Sequence, residues 1–328
     1  MFRSRYLMTV AAAACAATLL LGSCAGTGAE NSASGSSADA GDPVTGGTLR
    51  TIQMGEPRSM DPASLSNTWA HQPILGNALY GTLLINNPET LEIEYKMATD
   101  FSTADGGTTF ALTLRPGLTF TDGTPLDAAA VKFNWDRLRD PGLGSTAIRQ
   151  AAQVNSSEVV DATTLKVTLA ARNPHFVQGI VTTSMNWIAS PTALAKGTAE
   201  FDENPVGAGP FSLTRWSRQN LIELEKNPQY WDAPRPYLDK IDIRTVVDTE
   251  QRFNSISTGG TDLTVETSWS TLDKATAAGI PTEVADRRGS DPHDELGSRP
   301  VPRRESSAGS STRHRSGDHQ LDGLFRQR

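Results

Sequence analysis

The stretch Gly207-Ala208-Gly209-Pro210-Phe211, followed by Trp216, Leu224 and then Asn227-Pro228-Gln229-Tyr230-Trp231, decides how this sequence is read. Phe211 to Trp216 and Leu221 to Lys226 each carry the strand-like residue mix that a polar turn joins into a hairpin. Gly207 and Gly209 supply backbone freedom at the turn that opens it. Pro210 and Pro228 fix φ and stop the neighbouring elements. Trp216, Tyr230 and Trp231 read as large core and lid pieces. Downstream, Ile241 to Val247 is a further strand, Thr249 starts a helix closing at Gly259, and Thr261 to Thr267 is a strand. Ser270 to Ala278 reads as a helix capped by Ser270, with Asp273 three residues on.

Upstream of the quoted stretch, Thr48 to Met54 reads as a strand and Pro57 to Pro62 as a turn-rich link. A helix fits Trp69 to Tyr80, and Thr109 to Arg115 alternates as a strand does. Val131, Trp135 and Leu138 share one face of a helix over Asp127 to Arg139. Val167 and Leu169 alternate in another strand. Ser190-Pro191 opens a short helix that Gly197 stops. Asp122-Gly123 is a turn, since no regular run of carboxylates follows it. Strands and helices mix without a strict βαβ rhythm, which places the fold in the α/β class.

Three separated blocks then carry a family resemblance. The quoted stretch, continued by Pro236, Leu238-Asp239 and Ile241, resembles the signature region of family 5 extracellular solute-binding proteins. Leu114-Arg115-Pro116-Gly117, Phe120, Asp122-Gly123-Thr124-Pro125 and Ala129 to Phe133 resemble a second block. Gly47-Thr48-Leu49 with Pro57, Ser59 and Asp61-Pro62 resembles the opening strand and turn. The similarity covers about residues 46 to 285. It implies a periplasmic-binding-protein-like fold (type II, large subclass): a mixed-sheet lobe with an inserted subdomain, the second lobe largely missing. It also implies a monomeric binding component of an ABC importer, which hands an oligopeptide, nickel chelate, haem or sugar to permease and ATPase subunits. Peptide-binding relatives hold an extended backbone by strand-like hydrogen bonds. In the turn where this sequence has Glu56 such relatives can present an acidic ligand contact, the alternative being a solvated turn carboxylate. Trp269 lies near the expected hinge, placed to stack on a ligand or to pack. A surface lipoprotein acting as an interaction or sensory module is the alternative class.

The termini differ from this body. Arg3 and Arg5 precede an apolar run from Leu7 to Leu21, too short to span a bilayer core comfortably. Leu21-Gly22-Ser23-Cys24 resembles a bacterial lipobox, which implies a signal peptide over 1–23, lipid attachment at Cys24 and anchoring at the outer face of the cytoplasmic membrane. Residues 24–47 are Gly-, Ser- and Ala-rich and read as a flexible tether. The lobe is expected over 48–285. Residues 286–328 hold nine Arg, seven Ser and no Lys. They read as a disordered basic tail or as an out-of-frame one. A one-base shift is compatible with Ala-Ile-Asp-Arg-Glu from Arg313 to Asp318 and Ala-Pro-Phe from Arg299 to Val301. A chain ending so is expected to bind solute weakly, since one lobe begins only part of the contacts.

Composition narrows the function classes. A net charge of −7 over 328 residues argues against a nucleic-acid binder. Gly207-Ala208-Gly209 lacks the third glycine of a dinucleotide loop. No nucleophile elbow, Walker loop or His-x-x-x-His zinc spacing occurs, and the body's two histidines, His71 and His175, stand far apart. The reading is a binder, not an enzyme, with no metal or cofactor.

Overall fold

Alternation builds the two larger sheets of this protein, seen here in a computed structural model that describes residues 43–68, 71–87, 90 and 92–283. The signal segment, Cys24, most of the tether and the 286–328 tail lie outside the described residues. In chain order the strands are β1 Thr48–Gln53, β2 Leu84–Asn86, β3 Ile93–Tyr95, β4 Ala98–Thr103, β5 Thr109–Leu114, β6 Val154–Val159, β7 Thr164–Leu169, β8 Phe211–Ser217, β9 Leu221–Lys226, β10 Lys240–Thr245 and β11 Leu263–Thr264. The helices are α1 Pro73–Tyr80, α2 Ala128–Arg137, α3 Ile148–Ala151, α4 Phe176–Val181, α5 Pro191–Leu194, α6 Thr198–Glu203, α7 Thr249–Ser257 and α8 Trp269–Ala277.

The larger sheet runs β11-β1-β10-β9-β8. β1 is parallel to β10 and β11, while β9 and β8 run antiparallel as the expected hairpin. Ile241, Ile243, Ile222 and Leu224 face one core with Leu75, Leu79, Trp187 and Phe201. The second sheet, β4-β5-β7-β6, is wholly antiparallel. Phe110, Leu112, Leu165 and Val167 turn inward from it onto Trp135 and Phe176. It is inserted in the sequence between β1 and β8, and β2 and β3 form a separate hairpin.

Helix ends follow local chemistry. Asp127 caps α2 by accepting from Ala130 N at 2.9 Å, and Val131, Trp135 and Leu138 are buried as expected. Ser190 caps α5 with Pro191 at its first position. α7 starts at Thr249 as expected, with Asp248 as its cap. α1 begins only at Pro73; residues 69 and 70 lie outside the described set. The cap of α8 is Ser268 and not Ser270, so the Ser270–Asp273 capping box is corrected. The strand expected over Thr261 to Thr267 shortens to Leu263–Thr264. Thr261 Oγ1 and Asp262 N both bond to Arg50 O, so chain ahead of the strand is held by hydrogen bonds outside the ladder.

The signature glycines also need correction. Neither Gly207 nor Gly209 has positive φ. They are required by close approach instead: a Cβ on Gly207 would stand 2.1 Å from Leu79 O, and one on Gly209 2.2 Å from Ala78 O. The end of α1 thus seats directly on this turn, and Gly209 N donates to Leu79 O at 3.0 Å. Asn227, almost fully buried, staples the turn from the other side. Its Nδ2 donates to Gly209 O at 2.9 Å, and its backbone N to Pro210 O at 2.8 Å.

Candidate solute site at the carboxyl ends of the parallel strands

Ligands of open α/β sheets bind outside the carboxyl ends of parallel strands, where backbone and loop groups converge. Here Gln53 stands beside Thr245, and Ile52 beside Thr264, so the ends of β1, β10 and β11 lie abreast. Gln53 Nε2 donates to Thr245 Oγ1 at 3.2 Å. The Gln53 Oε1 and Thr51 Oγ1 atoms beside it are buried without a hydrogen-bond partner.

Glu56 occupies the turn after β1. Its Oε1 accepts from Trp216 Nε1 at 3.0 Å and from Gln219 N at 3.2 Å, and its Oε2 accepts from Thr245 Oγ1 at 2.8 Å. An ionised carboxylate offers about four acceptor positions, so these three leave room for one more donor. The group is half-buried and neither a fully solvated turn carboxylate nor an idle one. It ties the β8–β9 hairpin tip and β10 to the end of β1. Gly55, just before it, accepts from Gln72 Nε2 at 2.8 Å. The His71 ring lies against the same glycine, where a Cβ would meet Cδ2 at 3.1 Å.

The rim is braced from two sides. The Arg218 guanidinium lies 3.5 Å from the Trp216 ring centre and donates to Arg58 O at 3.0 Å. Behind β10, the fully buried Arg252 donates to Val246 O and Val247 O and pairs with Glu266 at 2.8 Å. Glu266 Oε1 also accepts from Thr267 N and Ser268 N. One guanidinium therefore fixes where β10 ends and where the segment after β11 turns. Trp269 opens α8 and is 60% exposed, with no hydrogen bond or ring contact among the described residues. The structure thus places Glu56 within the convergent set and leaves Trp269 outside its bonding.

The remaining signature residues make scaffold. Phe211 is buried, and Tyr230 and Trp231 pack with ring centres 5.6 Å apart. Burial first, and the neighbouring Asp232 second, push the Tyr230 hydroxyl up to about 12. Arg115 stacks over Trp231 at 4.9 Å and donates to Lys96 O. The Asp122 turn is confirmed, with Gly123 at φ +80°, and Asp122 also accepts from Ser190 Oγ at 2.8 Å. Among the described residues no three His, Cys, Asp or Glu side chains gather as a metal set. Nor is any helix among them long and apolar enough to cross a membrane.

Residues 92–291 match the sequence profile of the bacterial extracellular solute-binding proteins, family 5, middle region. The chain belongs to this family. It is 31% identical over 201 residues to the glutathione-binding protein GsiB of Escherichia coli K12, a match covering 61% of this chain and 38% of that protein. The chain spans about two fifths of the length of the curated relatives it matches. Among solved structures it resembles the unliganded open form of the murein tripeptide-binding protein MppA, with TM-score 0.63 at 23% identity, over 70% of this chain and 47% of that one. The Helicobacter pylori DppA structure in complex with the peptide STSA aligns with TM-score 0.59 at 26% identity, over 72% and 49%. A nickel transporter protein from Bacillus halodurans gives 0.58 at 25%, over 70% and 45%. These likenesses establish a periplasmic-binding-protein lobe.

Sequence reading had no means to find Gln53, Thr245, or the Arg252–Glu266 pair. Each is an ordinary polar residue whose partner is set by the parallel register or by a turn.

Proposed function

We propose that this chain is the solute-capturing lobe of a lipid-anchored binding component of an ABC importer, taking an oligopeptide or related small solute at the carboxyl ends of β1, β10 and β11. The observation that carries the reading is Glu56. Its carboxylate is held by Trp216, Gln219 and Thr245 and retains one acceptor position. A solute ammonium group is the donor that matches it. The relatives named for glutathione, tripeptide and peptide binding support that solute class. Export and attachment through Cys24 would set the lobe outside the cytoplasmic membrane, where permease and ATPase subunits are its partners. Trp269 is a further ligand-stacking residue in this reading, since its ring is exposed on the first turn of α8.

A site that encloses its ligand buries 70–90% or more of it, and one lobe contributes only part of that contact. The test is a titration of the full chain with glutathione and with short peptides, followed by the NMR signal of the Trp216 indole N–H. A saturable shift that Glu56→Gln abolishes is the expected result. An indole signal unmoved by every solute overturns the proposal.

A further inference from the structure

A second groove lies on the opposite margin of the larger sheet, between α6 and the outer edge of β8. It encloses about 550 Å³ and is lined by Ala199, Asp202 and Glu203 on one wall and by Leu213 to Trp216 on the other, with Arg218 beside them. That volume lies within the roughly 300–1,000 Å³ of small-ligand sites. Residues 199, 202 and 203 fall on one face of a helix, so α6 presents a continuous wall.

The strand wall is unusual. β8 pairs with β9 on one side and is the last strand of its sheet. Among the described residues no backbone or side-chain hydrogen bond from elsewhere reaches the main chain of residues 211–216. The outer side of this strand therefore has no strand partner. A bare edge is a template for pairing with another extended segment. The register break between Leu213 and Arg215 is a bulge, which works against a long flat partner strand and favours a short one. Arg218 closes one end, because it is stacked on Trp216 and bonded to Arg58 O and Asp202. Four strand residues span about 13 Å, the length of a tri- or tetrapeptide.

Charge sets the preference. Asp202 is committed to Ser59 Oγ, Met60 N and Arg218, and Arg215 to Glu223. Glu203 is the carboxylate of the wall that has no hydrogen bond or ion pair among the described residues. Its complement is a cation.

We propose that this groove is a second peptide site, which takes a free tri- or tetrapeptide carrying a lysine or arginine by strand addition to β8. It meets the rim of the Glu56 crevice at Trp216 and Arg218 but runs along the outer edge of β8, and it does not depend on the importer reading.

The probe is a four-residue alanine peptide carrying one lysine, titrated into the full chain by amide NMR. Shifts and slowed hydrogen exchange are expected at Leu213 to Arg215. Strand addition uses alternate amides of the ligand. Methylating one alternate set of peptide nitrogens should abolish binding, and methylating the other set should leave it. Glu203→Gln should weaken the lysine peptide by about threefold to fivefold and leave an all-alanine peptide unchanged. Because the Trp216 indole bonds Glu56 and reports on the crevice, the groove is read from the amides of Leu213 to Arg215 alone. Equal binding of both methylated sets, or shifts absent from β8, overturns the proposal.

Discussion

The indole nitrogen of Trp216 and the carboxylate of Glu56 meet at 3.0 Å across 160 positions of sequence, so the tip of the β8–β9 hairpin is tethered to the turn after β1. Thr245 and Gln219 bond to the same carboxylate, and three chain segments converge on two oxygen atoms.

Glu56→Ala leaves three donors without their acceptor. Unsatisfied donors cost about 1–3 kcal/mol each when water cannot reach them, and this site is half-buried, so a total loss of about 1–3 kcal/mol is expected. Glu56→Gln keeps one acceptor oxygen and should lose less. Urea denaturation followed by tryptophan fluorescence measures both. An alanine variant as stable as the wild type would sink the tether.

The glycines of the signature turn give a contrast by mechanism. Gly209→Asn must push its Cβ into the Ala78 carbonyl, and a backbone atom cannot step aside. The loss should reach or exceed the ~1–3 kcal/mol typical of overpacking. Gly117 has φ +76° with open space around it, a conformation that asparagine tolerates. Gly117→Asn should shift Tm by only a few degrees. Equal losses at the two positions would deny that the close approach to Ala78 O is what requires glycine at 209.

Much of this scaffold could be read from residues alone, and the reasons are local. Val131, Trp135 and Leu138 repeat at helical spacing and are all buried, and Ser190-Pro191 opens its helix as capping chemistry requires. The β8–β9 hairpin follows from its strand residues and its tight turn. What failed depended on contacts remote in sequence. The role of Gly207 is set by the end of α1, more than a hundred residues earlier. The cap of α8 moved to Ser268 where Glu266, turned by its pairing with Arg252, accepts the adjoining backbone amides. At the site, Glu56 could be singled out only through the family resemblance. Thr245 came to it through the register of β1 with β10, and Trp216 through the pairing of β10, β9 and β8, which no single stretch encodes.

Arg252 is fully buried and makes its ion pair with Glu266 in the same place as its bonds to two strand-end carbonyls. Removing one partner of a buried pair costs about 3–5 kcal/mol. Arg252→Met should fall in that range, and Arg252→Lys should recover little, because an ammonium cannot reproduce the planar fork. The double variant Arg252→Met with Glu266→Leu should recover part of the loss. Chemical denaturation of the wild type, Arg252→Met, Glu266→Leu and the double variant forms a mutant cycle, and strict additivity would deny the coupling.

The loop between β4 and β5 carries a pH prediction. Backbone amides of Thr109 and Thr108, the first two causes, hold the Asp105 carboxyl well below its usual range. A group whose folded pKa is depressed contributes stability that is complete above its unfolded value near 4 and fades as pH falls toward the folded one. The Tm gap between wild type and Asp105→Asn should therefore be constant around neutral pH and narrow below about pH 4. A gap that widens on acidification would contradict this.

Anchoring is checked by radiolabelled palmitate in the producing bacterium. Label should enter the wild-type chain and not Cys24→Ser, whose product should accumulate uncleaved. Equal labelling of both would end the lipobox reading.

The parallel pairing of β1 with β10 has a consequence in time. Gln53 and Thr245 are 192 positions apart. A ribosome adding about 5–20 residues per second needs roughly ten to forty seconds to supply β10 after β1 has emerged. Its edges stay open through that whole interval, while the four-stranded sheet, whose contacts lie within some seventy residues, can already have closed. The segment Thr48–Gln53 is thus the first strand made and among the last to be paired.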